Sequence, residues 1–112
     1  MLAAESGARV QSRETLSETR FDAIINSTPY GMRGQTMDAP ITSAEMHCRV
    51  FFDLVYNPVE TPLTALAASM GVQVIPGVAM FVEQGVRQFG LWTARTAPAG
   101  EMMRVVMAAL TP

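Results

Sequence analysis

The sequence contains no lysine, because all eight of its basic residues are arginine. A lysine general base, a lysine Schiff base and a phosphate-binding lysine are therefore excluded from these residues. The arginines form no run, and the formal net charge is −2. The sequence thus gives no electrostatic reason to expect nucleic acid or an anionic membrane surface as a partner.

Cysteine and histidine are nearly absent as well, since each occurs once, at Cys48 and His47. One cysteine cannot form a disulfide within the chain, and the two residues are too few for a Cys/His metal site. No stretch approaches the roughly 20 apolar residues of a membrane span, and residues 1–10 lack the pattern of a signal peptide. We therefore expect a cytoplasmic protein with no metal site and no membrane partner.

The order of predicted elements indicates one small α/β domain with a mainly parallel sheet. Short apolar runs predict strands at 22–26, 49–56 and 72–75. At 8–11, a helix stop at Gly7 suggests a further short strand. Helices are predicted at 2–6, 78–93 and 100–110, and a further helix is predicted to begin at Thr61-Pro62 and stop at Gly71. Residues 29–43 are rich in Gly, Pro and Met and are expected to form a loop.

Polar and turn-forming residues follow two of the predicted strands. The strand at 22–26 ends in the segment NSTPYGM (residues 26–32), and the strand at 49–56 ends at Tyr56. Ligands of open α/β sheets bind beyond the carboxyl ends of parallel strands, so these positions predict a binding cleft. Gly77 follows the last predicted strand, where a missing Cβ would let a backbone approach a ligand closely.

Three stretches taken together resemble the C-terminal half of the shikimate dehydrogenase family. They are NSTPYGM at 26–32, DLVYNPVETPL at 53–63 and GVAMFVEQG at 77–85. Their common order makes the match more specific than any single motif, and the resemblance extends from about residue 2 to residue 110. It implies a partial Rossmann-type domain, with a mainly parallel sheet flanked by helices and C-terminal helices that pack back on it.

The family transfers a hydride reversibly between NADPH and 3-dehydroshikimate, giving shikimate. The resemblance implies that four residues lie at the NADP site: Asn26, Thr28, Leu54 and Gly77. It implies that Tyr56 and Gln84 bind the substrate, because a phenol and an amide can hydrogen-bond its carboxylate and hydroxyl groups.

The sequence departs from the family in what it lacks. A dinucleotide site needs a glycine-rich turn at a helix N-terminus, but the closest glycine pair, Gly31 and Gly34, follows the wrong strand. The resemblance places that turn, the basic segment that holds the 2′-phosphate of NADP, and the catalytic lysine and aspartate before residue 1. Residues 1–112 are therefore expected to be the C-terminal part of a nucleotide-binding domain that holds no catalytic residue. The expected partner is an N-terminal substrate domain of the same polypeptide, and the chain alone is expected to be inactive.

Several alternatives stay open at this point. The parent enzyme could be an NAD-dependent quinate/shikimate dehydrogenase, part of a bifunctional chain with a dehydroquinate dehydratase, or a homo-oligomer. The chain could instead be a binding or assembly module that has the fold without the chemistry. At the level of single residues, NSTPYGM could be an ordinary capped turn, Tyr56 could pack on a helix, and Gln84 could be a solvated helix residue. Asp53, within an apolar run, is expected to accept hydrogen bonds from loop N–H groups.

Overall fold

The fold is a parallel three-stranded sheet with flanking helices, described for residues 2–111 in a computed structural model. The strands are β1 (Phe21–Asn26), β2 (Cys48–Asp53) and β3 (Gln73–Ile75), hydrogen-bonded in the order β1-β2-β3. The α-helices are α1 (Leu2–Ser6), α2 (Pro62–Ser69), α3 (Gly77–Thr93) and α4 (Ala99–Leu110), and short 3₁₀ helices span Arg13–Glu18 and Ser43–Glu45. The predicted α/β class with a parallel sheet is confirmed.

The core lies around the central strand β2. Its buried members are Met46 just before β2, Cys48 and Phe51 of β2, and Leu63 and Ala67 of α2. Apolar residues of the outer strands, including Ile24 and Val74, pack against this cluster and are only partly buried. The core is thin, as expected for a chain of this length.

Helix α2 begins as its sequence predicts. The Thr61 side chain accepts a hydrogen bond from the Thr64 N–H at 3.2 Å, and the Thr64 hydroxyl accepts one from the Thr61 N–H at 2.8 Å. This reciprocal capping box, with Pro62 at the first helical position, satisfies donors that a helix N-terminus otherwise leaves free. Gly71 follows the helix with φ of 74°, a left-handed conformation that favours glycine.

Two strand predictions need correction. Residues 8–11 form no strand: they have no neighbouring strand to pair with among residues 2–111, and Val10 is 89% exposed. Strand β2 ends at Asp53 rather than at Tyr56. The Asp53 carboxylate accepts a hydrogen bond from the Val55 N–H at 3.0 Å, which turns the chain away from the sheet immediately after the strand.

The two C-terminal helices pack against each other, and α3 begins directly after β3. Helix α3 ends in Ala94, whose φ of 53° is left-handed, and α4 follows after a short connection. The expectation that the C-terminal helices pack back is confirmed. Within residues 2–111, no helix combines the length and the apolar character needed to cross a membrane.

Candidate functional site

The sheet register places the ends of β1 and β2 side by side. Asn26 and Asp53, the last residues of the two strands, are paired in the register, and the Leu54 N–H donates to the Asn26 carbonyl oxygen at 3.1 Å. The segments that leave these strands enclose an open cleft, here called the strand-end cleft. Its lining residues are Ser27, Thr28, Pro29, Met32, Arg33, Leu54, Val55, Tyr56 and Asn57. Three predicted site residues therefore meet in one cleft: Thr28, Leu54 and Tyr56.

The predicted cofactor residue Asn26 does not line the strand-end cleft and is buried, with 6% of its surface exposed. Its Oδ1 accepts from the Thr28 N–H at 3.1 Å and from the Thr28 hydroxyl at 2.6 Å. Its Nδ2 donates to the Asp53 carboxylate at 3.0 Å and to the Tyr30 carbonyl oxygen at 3.3 Å. Asn26 thus stabilises the conformation of the NSTPYGM turn through hydrogen bonds to other residues of the chain.

Asp53 is fully buried, and hydrogen bonds from three other residues reach its carboxylate. Oδ1 receives the Asn26 amide and the Val55 N–H, and Oδ2 receives the Thr61 hydroxyl at 2.7 Å. These bonds join the end of β1, the segment after β2 and the N-terminus of α2. The expectation that Asp53 accepts from loop N–H groups is confirmed, and its amide and hydroxyl partners add to that role.

Gly77 is the first residue of α3 and lies against the backbone at the end of β2. A Cβ at this position would lie 2.7 Å from the Asp53 carbonyl oxygen and would collide with the Val55 carbonyl oxygen as well. Real Cβ atoms do not approach backbone oxygen so closely. The packing of α3 on β2 therefore requires glycine here, whether or not a ligand is bound.

The predicted substrate residues Tyr56 and Gln84 are placed differently. Tyr56 lines the strand-end cleft, and its ring also stacks on Phe81 of α3. Gln84 is exposed on α3 and lines a separate groove between α3 and α4, together with Phe81 and Met102. Phe81 thus lies between the two predicted substrate residues, which do not share one cleft within the described residues.

Arg33 is a residue of the strand-end cleft that the sequence did not predict. Its backbone N–H donates to the Asn57 carbonyl oxygen at 3.0 Å, which ties the loop after β1 to the loop after β2. Arg33 is the sole charged residue in the cleft lining, and no acidic residue lines it. An arginine in a Gly/Met-rich loop carries no sequence signal for this placement, which depends on the loop fold.

The remaining reactive side chains give no sign of separate chemistry. Burial raises the pKa of the Cys48 thiol, which keeps it protonated and poorly nucleophilic near neutral pH. Across the described part of the chain, no three His, Cys, Asp or Glu side chains are grouped so that they could hold a metal ion.

Comparisons with known proteins agree with this geometry. Residues 77–107 match the family model described as the Shikimate 5′-dehydrogenase C-terminal domain. A shikimate dehydrogenase (NADP(+)) from Maridesulfovibrio salexigens is 42% identical over 94 residues, covering 82% of this chain and 35% of that protein. Another from Archaeoglobus fulgidus is 37% identical over 92 residues, covering 81% of this chain and 34% of that protein.

The fold agrees as well. The solved structure of shikimate 5-dehydrogenase from Thermus thermophilus, in complex with NADP(H) and shikimate, superposes with a TM-score of 0.81 at 29% identity. The match covers 97% of this chain and 41% of that chain. The chain spans about a third of the length of the two curated relatives. In sequence and in fold, the chain is similar to the C-terminal, Rossmann-type part of shikimate dehydrogenases.

Proposed function

We propose that this chain is the nucleotide-binding part of an NADP-dependent shikimate dehydrogenase, which reduces 3-dehydroshikimate to shikimate and reverses that reaction. The observation that carries the proposal is that Thr28, Leu54 and Tyr56, from two separate motifs, line one cleft at the carboxyl ends of parallel strands. The two relatives, both of which are NADP(+) shikimate dehydrogenases, favour NADP and shikimate over NAD and quinate. They also favour an enzyme over a binding or assembly module.

The strand-end cleft fits part of an anionic nucleotide. Its lining has one cation, Arg33, no carboxylate, and backbone and hydroxyl groups from Ser27 and Thr28. The side chain of Leu54 adds an apolar surface for a flat ring. In the proposed complex, Thr28 and Leu54 contact NADP, Asn26 supports that contact through Thr28, and Gly77 holds the α3 backbone close to the same strand end. The nucleotide, when bound, would supply the hydride donor as NADPH in the reduction and the hydride acceptor as NADP⁺ in the reverse reaction.

Tyr56 and Gln84 are proposed to bind the substrate. The phenol of Tyr56 lies at the cleft, and the Gln84 amide is exposed on α3 on the other side of Phe81. A hydroxylated carboxylic acid that reached both groups would pass along the edge of Phe81. The catalytic lysine and aspartate are proposed to belong to an N-terminal substrate domain of the same polypeptide. The glycine-rich turn is proposed to belong to the preceding part of the nucleotide-binding domain, since residues 1–112 contain neither a lysine nor such a turn.

A chimera tests the function directly. The segment of the Maridesulfovibrio salexigens dehydrogenase that aligns with this chain is replaced by this chain, and reduction of NADP⁺ is followed with shikimate present. We expect shikimate-dependent NADPH formation by the chimera and none by the chain alone, because hydride transfer needs a positioned cofactor and an acid/base. The same assay with quinate in place of shikimate tests the alternative substrate, whereas the choice between NADP⁺ and NAD⁺ is set by the host segment that precedes this chain.

Three outcomes would contradict parts of the proposal. A chimera with a native circular dichroism spectrum and cooperative thermal unfolding, but with no activity and no stabilisation by NADP⁺, would favour a non-catalytic module. Activity with quinate exceeding that with shikimate would favour the alternative substrate. Shikimate-dependent activity of the isolated chain would show that the missing parts are not needed.

The location and assembly of the protein are also proposals. A cytoplasmic location is supported by the buried, free thiol of Cys48, and cell fractionation tests it. Self-association is supported by β1, which pairs with β2 on one side only within residues 2–111 and has Ile25 57% exposed. Sedimentation of a clean monomer across a range of protein concentrations would reject self-association.

A further inference from the structure

We propose that Asp53 is a positioning residue that makes the Thr28 hydroxyl a hydrogen-bond acceptor toward the nucleotide. This inference rests on the proposed function, because it states which partner donates in one hydrogen bond between the strand-end cleft and the nucleotide. Asp53 itself is fully buried and does not line that cleft, so its effect passes through Asn26.

The first step is the orientation of the Asn26 side chain. Asp53 Oδ1 accepts from the Val55 N–H, so it acts as an acceptor, and the Asn26 group that lies 3.0 Å from it is the NH₂ group. The Tyr30 carbonyl oxygen, 3.3 Å from the same Nδ2, imposes the same choice. In the flipped orientation, oxygen would face the carboxylate and NH₂ would face the Thr28 N–H. Asp53, through the shorter bond, and the Tyr30 carbonyl oxygen together hold the Asn26 oxygen toward Thr28.

The second step is the hydrogen of the Thr28 hydroxyl. Thr28 Oγ1 lies 2.6 Å from Asn26 Oδ1, which can only accept, so the hydroxyl hydrogen is committed to Asn26. One lone pair of Oγ1 accepts from the Tyr30 N–H at 3.3 Å. The hydroxyl then has no hydrogen left to donate, and its remaining lone pair is available to a ligand. Thr28 lines the strand-end cleft, so the cleft selects an O–H or N–H donor here.

The matching groups on a nicotinamide nucleotide are its ribose hydroxyls and its carboxamide NH₂. A phosphate oxygen, which is an acceptor, would be disfavoured beside Thr28 Oγ1, although the Arg33 side chain in the same lining could bind it. The hydrogen-bond relay from Asp53 through Asn26 to Thr28 thus creates a position for neutral donors at Thr28. Arg33 provides a separate position for anionic groups.

The test uses the 112-residue chain, the chimera described above and four variants. Without nucleotide, the Asn26 side-chain NH₂ signals in ¹⁵N spectra are expected to be shifted and slow to exchange with solvent. Asp53→Ala should shift these signals and speed their exchange, because only the longer bond to the Tyr30 carbonyl oxygen then remains. Asp53→Asn should keep the wild-type signature, because its oxygen can still accept from Asn26 and Val55 while its NH₂ faces the Thr61 oxygen. Asp38→Asn removes an exposed carboxylate and serves as the charge control.

NADP⁺ titrations of the chimera with the same substitutions, and with Thr28→Val as the fourth variant, then measure the dissociation constant from the amide shifts of residue 28 and Leu54. We expect Asp53→Ala and Thr28→Val to weaken NADP⁺ roughly two- to tenfold, the usual effect of losing one hydrogen bond. Asp53→Asn and Asp38→Asn should change it less than twofold. If Asp53→Ala does not fold, the NADP⁺ dissociation constants of Thr28→Val and Asp53→Asn are compared instead.

Two results would overturn the inference. One is an unchanged Asn26 NH₂ signature in folded Asp53→Ala, which would show that Asp53 does not orient the amide. The other is undiminished NADP⁺ affinity in Thr28→Val, which would show that the hydroxyl accepts nothing from the nucleotide. Absence of any NADP⁺-dependent shift in the unsubstituted chimera would instead reject nucleotide binding by this chain, and with it the ligand part of the inference. The NH₂ signature would still decide the relay.

Discussion

The ring of Tyr56 stacks on the ring of Phe81, with centroids 4.3 Å apart and planes inclined by 19°. This contact joins the segment after β2 to helix α3. It gives Tyr56 a packing role that its position at a strand end also predicts, and it leaves the phenolic oxygen as the part of the side chain through which a substrate could be recognised.

Phe81→Ala is expected to lower the free energy of unfolding by about 1–3 kcal/mol, because it removes a half-buried aromatic ring and its stacking contact. Tyr56→Phe should change it by less than about 0.5 kcal/mol, since the ring is kept. Urea unfolding measures both, and Leu91→Ala, at an 83% exposed position of the same helix, is the control. A Phe81→Ala effect no larger than that of Leu91→Ala would mean that the stacking contributes nothing.

Gly77→Ala should destabilise the fold by about 1–3 kcal/mol, because its Cβ would be forced against backbone oxygens that cannot move without shifting β2. Gly85→Ala offers a matched control in the middle of the same helix. There the new Cβ would meet only the flexible end of Met102, at 3.5 Å. We expect Gly85→Ala to stabilise the protein by up to about 1 kcal/mol, as alanine does in a helix interior. Equal effects in thermal unfolding would contradict the proposed collision at residue 77.

The sequence predicts the sheet well where burial and capping are local. The apolar runs at β1, β2 and β3 and the Thr61-Pro62 start of α2 each carry their own signal, and all four were found. The strand predicted at 8–11 does not form, because such a short run needs a neighbouring strand to pair with. No such neighbour exists among the described residues. Strand β2 was predicted too long because the side chain of Asp53, rather than the apolar pattern, ends it.

The site was predictable in part. Position at a strand end was enough to bring Thr28, Leu54 and Tyr56 together, since carboxyl ends of parallel strands share one edge. Arg33 was missed because a loop residue has no periodic pattern. The separation of Gln84 from the strand-end cleft was not foreseen either, since helical spacing predicts a face of α3 but not which groove that face borders.

Acid is expected to weaken the fold partly through Glu45. The Thr42 hydroxyl and, to a smaller extent, Arg13 lower the pKa of Glu45 below its ordinary value of 4.5. Because the folded-state pKa is the lower one, the carboxylate stabilises the fold above the ordinary value, and this stability is lost as pH falls through the lowered value. Glu45→Gln should therefore flatten the fall in unfolding free energy between about pH 5 and pH 3. Substitution of the exposed Glu14, Glu14→Gln, is the control. Urea unfolding at several pH values measures the effect. Parallel curves of unfolding free energy against pH for wild type and Glu45→Gln would contradict the role of Glu45.

Gln84 gives the sharpest test of the substrate site, in the active chimera described above. A hydrogen bond between a neutral group and a charged one contributes about 1.5–3 kcal/mol, so Gln84→Ala should weaken shikimate roughly ten- to a hundredfold. The KM for NADP⁺ should stay nearly constant. Gln88→Ala is the matched control, because Gln88 lies one turn further along α3 and lines the same groove. If Gln84 is instead a solvated helix residue, its substitution should leave the kinetics unchanged and alter stability only slightly. Steady-state kinetics in which Gln84→Ala and Gln88→Ala behave alike would remove Gln84 from the substrate site, and would leave Tyr56 as its one proposed member in this chain.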